Sequence, residues 1–262
     1  MGTILITGGT GLLGRAVTRR LAAEHPVRVL SRRSAEHPEV VTGDLGTGAG
    51  LRDAVAGVTA ILHVASDPRA PHAVDVDGTA GLLDAARATG RRPHLVYISI
   101  VGVDRIPYGY YRAKLDAERA IERSGLPWTI LRATQFHDFG YTAVTQLARF
   151  PGLVPVPRGW RIQPVDVVEV AARLAAAVDA PPAGRLPDLG GPEVMTLSAL
   201  ARAYLRERGS RRPVVEVPVP GRLSAAFRAG ANLAPDDRAG GRTWHQYLEH
   251  RNRATATRTG KP

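Results

Sequence analysis

Thr7-Gly8-Gly9-Thr10-Gly11-Leu12-Leu13-Gly14 is the stretch of sequence that decides the fold. It follows the apolar run Thr3-Ile4-Leu5-Ile6, which predicts a short buried strand. It precedes residues 15–22, which predict a helix because Leu13, Val17 and Leu21 fall on one face. A strand, a glycine-rich turn and a helix in this order are typical of a dinucleotide-binding unit.

Each of the three evenly spaced glycines has its own predicted role. Gly8 permits the tight turn, Gly11 lets the backbone approach a pyrophosphate, and Gly14 lets the helix pack closely on the strand. The helix N-terminus offers unpaired N–H groups and the positive end of its dipole to the phosphates. The cofactor-binding residues predicted here are Gly8, Thr10, Gly11, Leu12, Leu13 and Gly14.

The second predicted strand, residues 26–31, ends in Arg32 and Arg33. An NAD-binding protein usually presents a carboxylate to the adenosine ribose about 20 residues after the glycines. A carboxylate would repel a 2′-phosphate, whereas an arginine binds one through charge-assisted hydrogen bonds. The sequence therefore predicts NADP (NADPH) rather than NAD, with Ser31, Arg32 and Arg33 at the ribose phosphate. The alternative is that both arginines are solvated surface residues of an arginine-rich chain.

A third short strand is predicted over residues 39–45, ending at Asp44 and Leu45. We place both residues in the cofactor site, because a carboxylate or a backbone group there could meet the adenine amino group. The alternative for Asp44 is a structural role, in which its side chain caps a helix near residues 49–56.

The apolar run 60–66 predicts a fourth strand. Its last residues, Val64, Ala65 and Ser66, are small or medium-sized and leave space for the cofactor, so we include them among its predicted contacts. His63 lies inside the same apolar run, and we expect it to be a packed core residue rather than a catalyst.

Tyr110 and Lys114 stand four residues apart in a helix predicted to run to about Ser124, which places them on one face. A lysine ammonium beside a phenol favours the phenolate and lowers the tyrosine pKa from about 10. Such a tyrosine can exchange protons with a carbonyl or hydroxyl near neutral pH. Lys114 is one of two lysines, against 33 arginines, and an arginine is not an equivalent replacement. The alternative is that both residues lie on the surface of a helix.

Composition excludes several classes of protein. The chain has 262 residues and no cysteine, which excludes disulfides and thiolate metal sites, and we predict no metal site. No apolar run approaches the roughly 18 residues of a membrane span, so we expect a cytoplasmic protein without a membrane partner. The net charge of +11 would attract nucleic acid, but the arginines are dispersed and no recognition helix is evident. We therefore expect a small-molecule partner and not a nucleic acid.

The glycine motif, the two arginines after the second strand, Ser99 at the end of a fifth predicted strand and the Tyr110-x-x-x-Lys114 helix together resemble the short-chain dehydrogenase/reductase superfamily. The GxxGxxG spacing and the run 110–139 are most similar to its atypical members, the NAD(P)H-binding, NmrA-like and NAD-dependent epimerase group. The resemblance implies a Rossmann fold, an α/β doubly wound parallel sheet with a small C-terminal substrate lobe.

The resemblance also implies a domain layout. A single NAD(P)-binding domain would cover residues 1–250, with substrate-lobe segments at about 135–165 and 192–250. Residues 251–262 carry four basic residues and almost no apolar ones, which predicts a disordered basic tail. A monomer or a homodimer is compatible with the family.

Three catalytic roles are implied by the resemblance. Tyr110 would be the general acid/base, Lys114 its pKa partner and a ligand of the cofactor ribose, and Ser99 the residue that orients the substrate carbonyl. Residues 75–79 are similar to an Asn-Val-x-Gly-Thr motif, but Asp75 stands where asparagine is usual.

The implied function is an NADP-dependent oxidoreductase acting on a small carbonyl or quinone-like substrate. The side chains implied to line its pocket are Phe136, Phe139, Tyr141 and Trp160. A sugar epimerase or dehydratase is a variant in which the hydride returns to the product. The alternative from another class is a non-catalytic, NmrA-like sensor of NADP(H), which needs Arg32 but not Tyr110 and is favoured by Asp75.

Overall fold

The computed structural model describes residues 2–33, 39–236 and 238–259. Seven strands form one sheet whose pairings are parallel, in the order β3-β2-β1-β4-β5-β6-β9. Their bounds are β1 Thr3–Thr7, β2 Val27–Ser31, β3 Val40–Thr42, β4 Val58–His63, β5 His94–Ile100, β6 Trp128–Ala133 and β9 Gly184–Arg185. Strands β2 and β3 lie on one side of β1, and β4, β5, β6 and β9 lie on its other side. The order of the strands therefore reverses between β1 and β4, which pair with each other. The predicted doubly wound α/β class is confirmed.

Five helices connect the strands of this sheet. They are α1 Leu12–Leu21, α2 Leu51–Val55, α3 Gly78–Ala88, α4 Gly109–Glu122 and α6 Val167–Asp179. Helix α1 begins at Leu12, directly after Gly11, and it buries the predicted apolar face of Leu13, Val17 and Leu21. A π-helical segment, His72–Asp77, precedes α3 and places Asp75 in the interior.

The chain divides into two compact units, and the first contains this sheet: residues 1–104, 108–132 and 167–187. Its strands are continuous apolar runs because parallel strands are covered on both faces. Leu5, Ile61 and Leu95 are fully buried in one core cluster with side chains of α3 and α4. Each such side chain contributes roughly 1.5–3 kcal/mol by leaving water.

The first unit also encloses a buried ion pair. Arg132, near the end of β6, donates from Nε and Nη2 to the two carboxylate oxygens of Glu118 in α4. Its Nη1 donates to Asp104 at 3.0 Å. Bidentate geometry and a second carboxylate satisfy the guanidinium, as a charge removed from water requires.

The second unit consists of residues 105–107, 133–166 and 188–262. The sequence-predicted lobe segments 135–165 and 192–250 fall within these bounds. Its elements are α5 His137–Leu147, β7 Val154–Pro157, β8 Arg161–Ile162, β10 Met195–Thr196, α7 Leu197–Glu207, β11 Val214–Val217, α8 Arg222–Ala229 and α9 Trp244–Thr259. Trp244 is 1% exposed and packs in a cluster with Val144 and Leu200.

The structure differs from the predicted tail. Helix α9 continues through Thr259, whereas the sequence predicts disorder from residue 251. Arginine and alanine in this stretch are good helix formers, so they extend a helix whose first turns are anchored by Trp244 and Leu248. Residues 260–262 lie outside the described residues. Within the described ranges, no helix has a stretch long and apolar enough to cross a membrane.

Candidate active site

The turn after β1 requires two of its glycines. Gly8 has φ +72°, and a Cβ there would lie 2.6 Å from the backbone of Ala65, after β4. A Cβ on Gly14 would lie 2.0 Å from the Gly8 carbonyl oxygen, so the first turn of α1 packs directly on the glycine turn. The backbone N–H of Gly11 donates to the same Gly8 carbonyl at 2.9 Å. These contacts leave a tight turn at the N-terminus of a ten-residue helix.

A cavity of about 280 Å³ opens beside this turn, at the carboxyl ends of the strands. It is lined by Gly8, Thr10, Gly11, Leu30, Ser31, Arg32, Gly43, Asp44, Leu45, Val64, Ala65, Ser66, Asp67 and Val74. The cavity lies where β1 separates the two halves of the sheet, the place where doubly wound sheets bind ligands. Its volume lies close to the lower end of the roughly 300–1,000 Å³ of ligand pockets.

Ten of the predicted cofactor-binding residues line this cavity, and five do not. Leu13, Gly14 and Lys114 are buried elsewhere, Leu12 is exposed on α1, and Arg33 is exposed beyond the cavity. Sequence reasoning missed Leu30, Gly43, Asp67 and Val74. Leu30, Gly43 and Asp67 each adjoin a predicted residue, so widening each strand end by one position finds all three; Val74 lies in another segment.

Asp44 has a local role as well as a place in the cavity wall. Its Oδ1 accepts a hydrogen bond from the backbone N–H of Gly46 at 2.8 Å. Helix α2 begins after Gly50, which has a left-handed backbone and no capping side chain. The carboxylate thus stabilises a turn, and the helix cap offered as its alternative role is not what the structure contains.

Tyr110 and Asp75 are joined through Ser66. The Tyr110 hydroxyl lies 2.7 Å from Ser66 Oγ, and Ser66 Oγ donates to Asp75 Oδ1 at 2.7 Å. The backbone N–H of Asp67 donates to the other Asp75 oxygen at 3.2 Å. Because Ser66 lines the cavity, the phenol of Tyr110 is one hydrogen bond away from the cavity wall.

Lys114 has other partners than the sequence predicts. Its Nζ donates to the Ile98 carbonyl at 2.8 Å, lies 3.5 Å from Asp75 Oδ1 and stands 4.2 Å from the centroid of the Tyr97 ring. Burial lowers the pKa of Lys114, and the charge of Asp75 opposes that effect.

The predicted lowering of the Tyr110 pKa is wrong. Burial, assisted by the charge of Asp75, raises the pKa of Tyr110 to about 12, and a Ser66 hydroxyl that turned to donate to the phenolate would oppose that effect. Helical spacing correctly puts Tyr110 and Lys114 in successive turns of α4. It cannot show that the ammonium is taken up by Asp75, which belongs to a different segment.

Ser99, the predicted orienting serine, is 2% exposed in β5. In the part of the chain that the structure describes, its Oγ has no hydrogen-bond partner, and neither has the hydroxyl of Tyr97. The structure therefore does not join Ser99 to Tyr110 by a hydrogen bond. Its role in orienting a substrate remains a prediction.

His63 lies in the core and is hydrogen-bonded on both ring nitrogens. Nδ1 is 2.6 Å from Thr7 Oγ1, and Nε2 is 3.0 Å from Thr79 Oγ1. Thr79 Oγ1 donates its own proton to the Asp75 carbonyl, so it accepts from Nε2 and fixes the tautomer. Burial, followed by the charge of Lys114, lowers the pKa of His63 to about 3.

The four side chains predicted to line a substrate pocket all belong to the second unit, with different surroundings. Phe139 is 62% exposed on α5, and Phe136 is half-buried. Trp160 stacks on Phe227 with 4.4 Å between ring centroids. The Tyr141 hydroxyl accepts a hydrogen bond from Arg208 at 2.8 Å.

The residues present fit a dinucleotide. A Cβ would collide with backbone at Gly8 in the turn and at Gly14 in the first turn of α1. Helix α1 directs its N-terminal N–H groups at the turn and has no acidic residue in its first turn. Arg32 in the cavity wall supplies a cation for a phosphate.

Comparison with known proteins gives the family. The model of the NAD(P)H-binding family matches residues 8–178. The chain is 35% identical over 207 residues to a (4-alkanoyl-5-oxo-2,5-dihydrofuran-3-yl)methyl phosphate reductase of Streptomyces griseus, covering 74% of this chain and 69% of that protein. It is 33% identical over 248 residues to a ceramide reductase of Caulobacter vibrioides, covering 86% and 76%.

A solved structure shares the fold. The NADPH-dependent quinone oxidoreductase of Escherichia coli, in complex with NADPH, matches with a TM-score of 0.80 at 19% identity, over 95% of this chain and 99% of that one. The parallel sheet, the glycine turn with its cavity and the match over residues 8–178 all indicate the same family. The chain belongs to the NAD(P)H-binding family of atypical short-chain dehydrogenases/reductases.

Proposed function

We propose that this protein is an NADPH-dependent reductase of small carbonyl or quinone-like compounds. The observation that carries the proposal is the 2.7 Å contact between Tyr110 and Ser66. Ser66 belongs to the wall of the dinucleotide cavity, so a proton donor stands next to the place where a reduced cofactor would bind. The two relatives of highest identity given above are named reductases, which supports the same class of reaction.

The cofactor would be held mainly by the first unit's strand ends. The glycine turn and the N-terminus of α1 would bind the pyrophosphate, and Arg32 with Ser31 would bind the 2′-phosphate. Bound NADPH supplies the hydride. The proton comes from the chain: Tyr110 Oη gives its proton to the carbonyl oxygen, which becomes the hydroxyl of the product.

Tyr110 carries the proton that this direction of chemistry needs. With a pKa of about 12 it is a phenol at neutral pH, as an ordinary tyrosine is, and it gives up that proton less readily than an ordinary tyrosine does. Ser99 and Lys114 are proposed to support the site, Ser99 by orienting the substrate and Lys114 as a ligand of the cofactor ribose.

The test is the oxidation of NADPH, followed by absorbance, with a panel of aldehydes, ketones and quinones. We expect turnover of at least one class, and a loss of at least about 100-fold in Tyr110→Phe, as expected when a general acid is removed. Tyr108→Phe is the matched control, because it removes an exposed phenol two residues away. NADPH fluorescence should show that both variants still bind the cofactor. Full turnover by Tyr110→Phe would remove this residue from the chemistry.

A second candidate is a non-catalytic sensor of NADP(H). It is favoured by one observation, the engagement of Lys114 with Asp75 and Ile98 rather than with Tyr110. A sensor would bind NADPH through Arg32 yet oxidise it with no member of the panel. A sugar epimerase would convert its substrate without net oxidation of NADPH, so product analysis separates that variant.

A further inference from the structure

Four polar side chains of the first unit form a continuous series: Lys114, Asp75, Ser66 and Tyr110. Asp75 is fully buried and Lys114 is 2% exposed. Asp75 Oδ1 lies 3.5 Å from Lys114 Nζ and accepts the 2.7 Å hydrogen bond from Ser66. Ser66 in turn lies 2.7 Å from the Tyr110 hydroxyl. The resemblance to the family implies an asparagine at position 75, where this chain carries a carboxylate.

The positions of the protons follow from counting donors. A serine hydroxyl has one proton, and that of Ser66 is donated to Asp75. Ser66 can therefore only accept from Tyr110, which makes the phenol the donor in the 2.7 Å contact. The ammonium of Lys114 is balanced by the adjacent carboxylate, so its charge does little to stabilise a phenolate at Tyr110.

We propose that Asp75 is a positioning residue that keeps Tyr110 a protonated phenol well into the alkaline range, where a tyrosine beside an unpaired lysine would already be a phenolate, and so favours carbonyl reduction over alcohol oxidation. The direction of the chemistry rests on the proposed function, whereas the protonation of Tyr110 does not. Asp75 acts in two ways: its charge opposes a phenolate nearby, and it takes up both the Lys114 charge and the Ser66 proton that would otherwise stabilise one.

The other groups around Tyr110 do not provide an opposing charge. The rings of Tyr108 and Tyr111 meet that of Tyr110 edge to face, at 6.4 and 6.2 Å between centroids. Both phenols act on Tyr110 in the same direction as Asp75.

The groups around Lys114 leave Asp75 as its direct anionic partner. Glu118 also favours the ammonium by its charge, but its carboxylate is bound by Arg132. Tyr97 offers its ring face, and its pKa is raised by burial. His63 is neutral.

The proton balance of a reductive turnover closes on these residues. Tyr110 Oη loses its proton to the substrate oxygen and becomes a phenolate. Ser66 Oγ, which is exposed, then passes a proton from water to the phenolate: it gives its own proton to Tyr110 as it takes one from water, and the hydroxide left behind enters solvent. The hydrogen bond to Asp75 re-forms and returns the starting state.

The test is the ionisation of Tyr110 itself, measured without substrate or cofactor. Protein carrying ¹³Cζ-labelled tyrosine is titrated by NMR up to about pH 11, and the Tyr110 resonance is assigned by its loss in Tyr110→Phe. In the unsubstituted protein we expect a tenth or less of the full ionisation shift at that pH. In Asp75→Asn we expect about half or more, because the pKa falls by at least about one unit.

Two variants complete the experiment. Asp77→Asn is the matched control, since it neutralises an exposed carboxylate of the same π-helical segment, one that is paired with His72, and should leave the Tyr110 titration unchanged. Asp75→Ser, measured in parallel, is neutral and still offers Ser66 a hydrogen-bond partner, so the comparison survives if the asparagine variant does not fold.

The proposal is overturned if Tyr110 ionises at or below the ordinary tyrosine value in the unsubstituted protein. It is equally overturned if the folded Asp75 variants titrate as the unsubstituted protein does. Activity provides a separate measurement. As the pH is raised, the rate of carbonyl reduction should begin to fall at a lower pH in Asp75→Asn than in the unsubstituted protein, and the rate of alcohol oxidation should rise. If no variant oxidises NADPH with any substrate, the proposed function fails, and the NMR titration still decides the role of Asp75.

Discussion

Glu118 and Arg132 form a bidentate ion pair inside the first unit, with oxygen–nitrogen distances of 2.9 and 2.6 Å and neither residue more than 4% exposed. Removing the Glu118 charge leaves the buried guanidinium with one carboxylate partner, the partly exposed Asp104. We expect Glu118→Gln to lower the free energy of unfolding by about 3 kcal/mol or more, measured by urea denaturation.

The control for this pair is on the same helix. Glu122 is 34% exposed at its side chain and lies 3.4 Å from Arg185. We expect Glu122→Gln to change stability by less than about 1 kcal/mol, because exposed ion pairs contribute little. Equal effects of the two substitutions would contradict the assignment of Glu118 as a buried anchor.

Arg32 lines the dinucleotide cavity, whereas its neighbour Arg33 does not. We expect Arg32→Ala to weaken NADPH binding at least about tenfold, or 1.4 kcal/mol, and to leave NADH binding nearly unchanged. Arg33→Ala should weaken neither, since its side chain is exposed beyond the cavity. Fluorescence titration with both cofactors measures this. Equal losses for the two variants would indicate a general effect of positive charge.

Gly14 and Gly81 are both helical glycines, but they differ in the space around them. A Cβ at Gly14 would collide with the Gly8 carbonyl at 2.0 Å, while one at Gly81 would meet Leu51 Cδ1 at an ordinary 3.5 Å. We expect Gly14→Ala to destabilise the protein and abolish NADPH binding. Gly81→Ala should raise the free energy of unfolding by roughly 0.5–1 kcal/mol, because alanine favours a helix, and the melting temperature should rise accordingly. A harmless Gly14→Ala would disprove the close packing of α1 on the turn.

His63 should make stability depend on pH. The folded pKa of about 3 lies below the unfolded value of 6.5, so the unfolded chain binds a proton first as the pH falls. The contribution of His63 is therefore complete above pH 6.5 and is lost towards pH 3. We expect it to cost about 2 kcal/mol between pH 7 and pH 5, measured by urea denaturation.

The His63 contribution can be isolated by substitution. His63→Gln should remove that part of the pH dependence, because glutamine stays neutral. His250→Gln, at an exposed position of α9, should keep it. An unchanged pH dependence in His63→Gln would show that other groups cause it.

The fold and the cofactor cavity are predictable from sequence because both depend on local patterns. The glycine turn lies between β1 and α1, which adjoin it in the chain. Arg32 likewise directly follows β2, and the end of that strand places it in the cavity wall. Parallel strands bring such ends to one edge of the sheet, so contacts at several strand ends can be predicted from one rule.

The electrostatics of the candidate site are not predictable in this way. The spacing of Tyr110 and Lys114 is a property of one helix, but their protonation depends on Asp75 and Ser66, which belong to other segments. The Arg132–Glu118 pair, too, joins a strand to a helix. A pKa is set by what surrounds a group in space, and a sequence pattern contains only its neighbours along one element.

The division of the chain into units affects how the protein can be rebuilt. The second unit consists of residues 105–107, 133–166 and 188–262, and residues 167–187 of the first unit separate its two long segments. Its core packs Val144 and Val154 of one segment with Leu200 and Trp244 of the other. A truncation near residue 187 would leave the first of these side chains without their partners. A chimaera that borrows the whole second unit from a relative needs junctions near residues 104, 107, 132, 166 and 187. A single crossover therefore cannot exchange this unit.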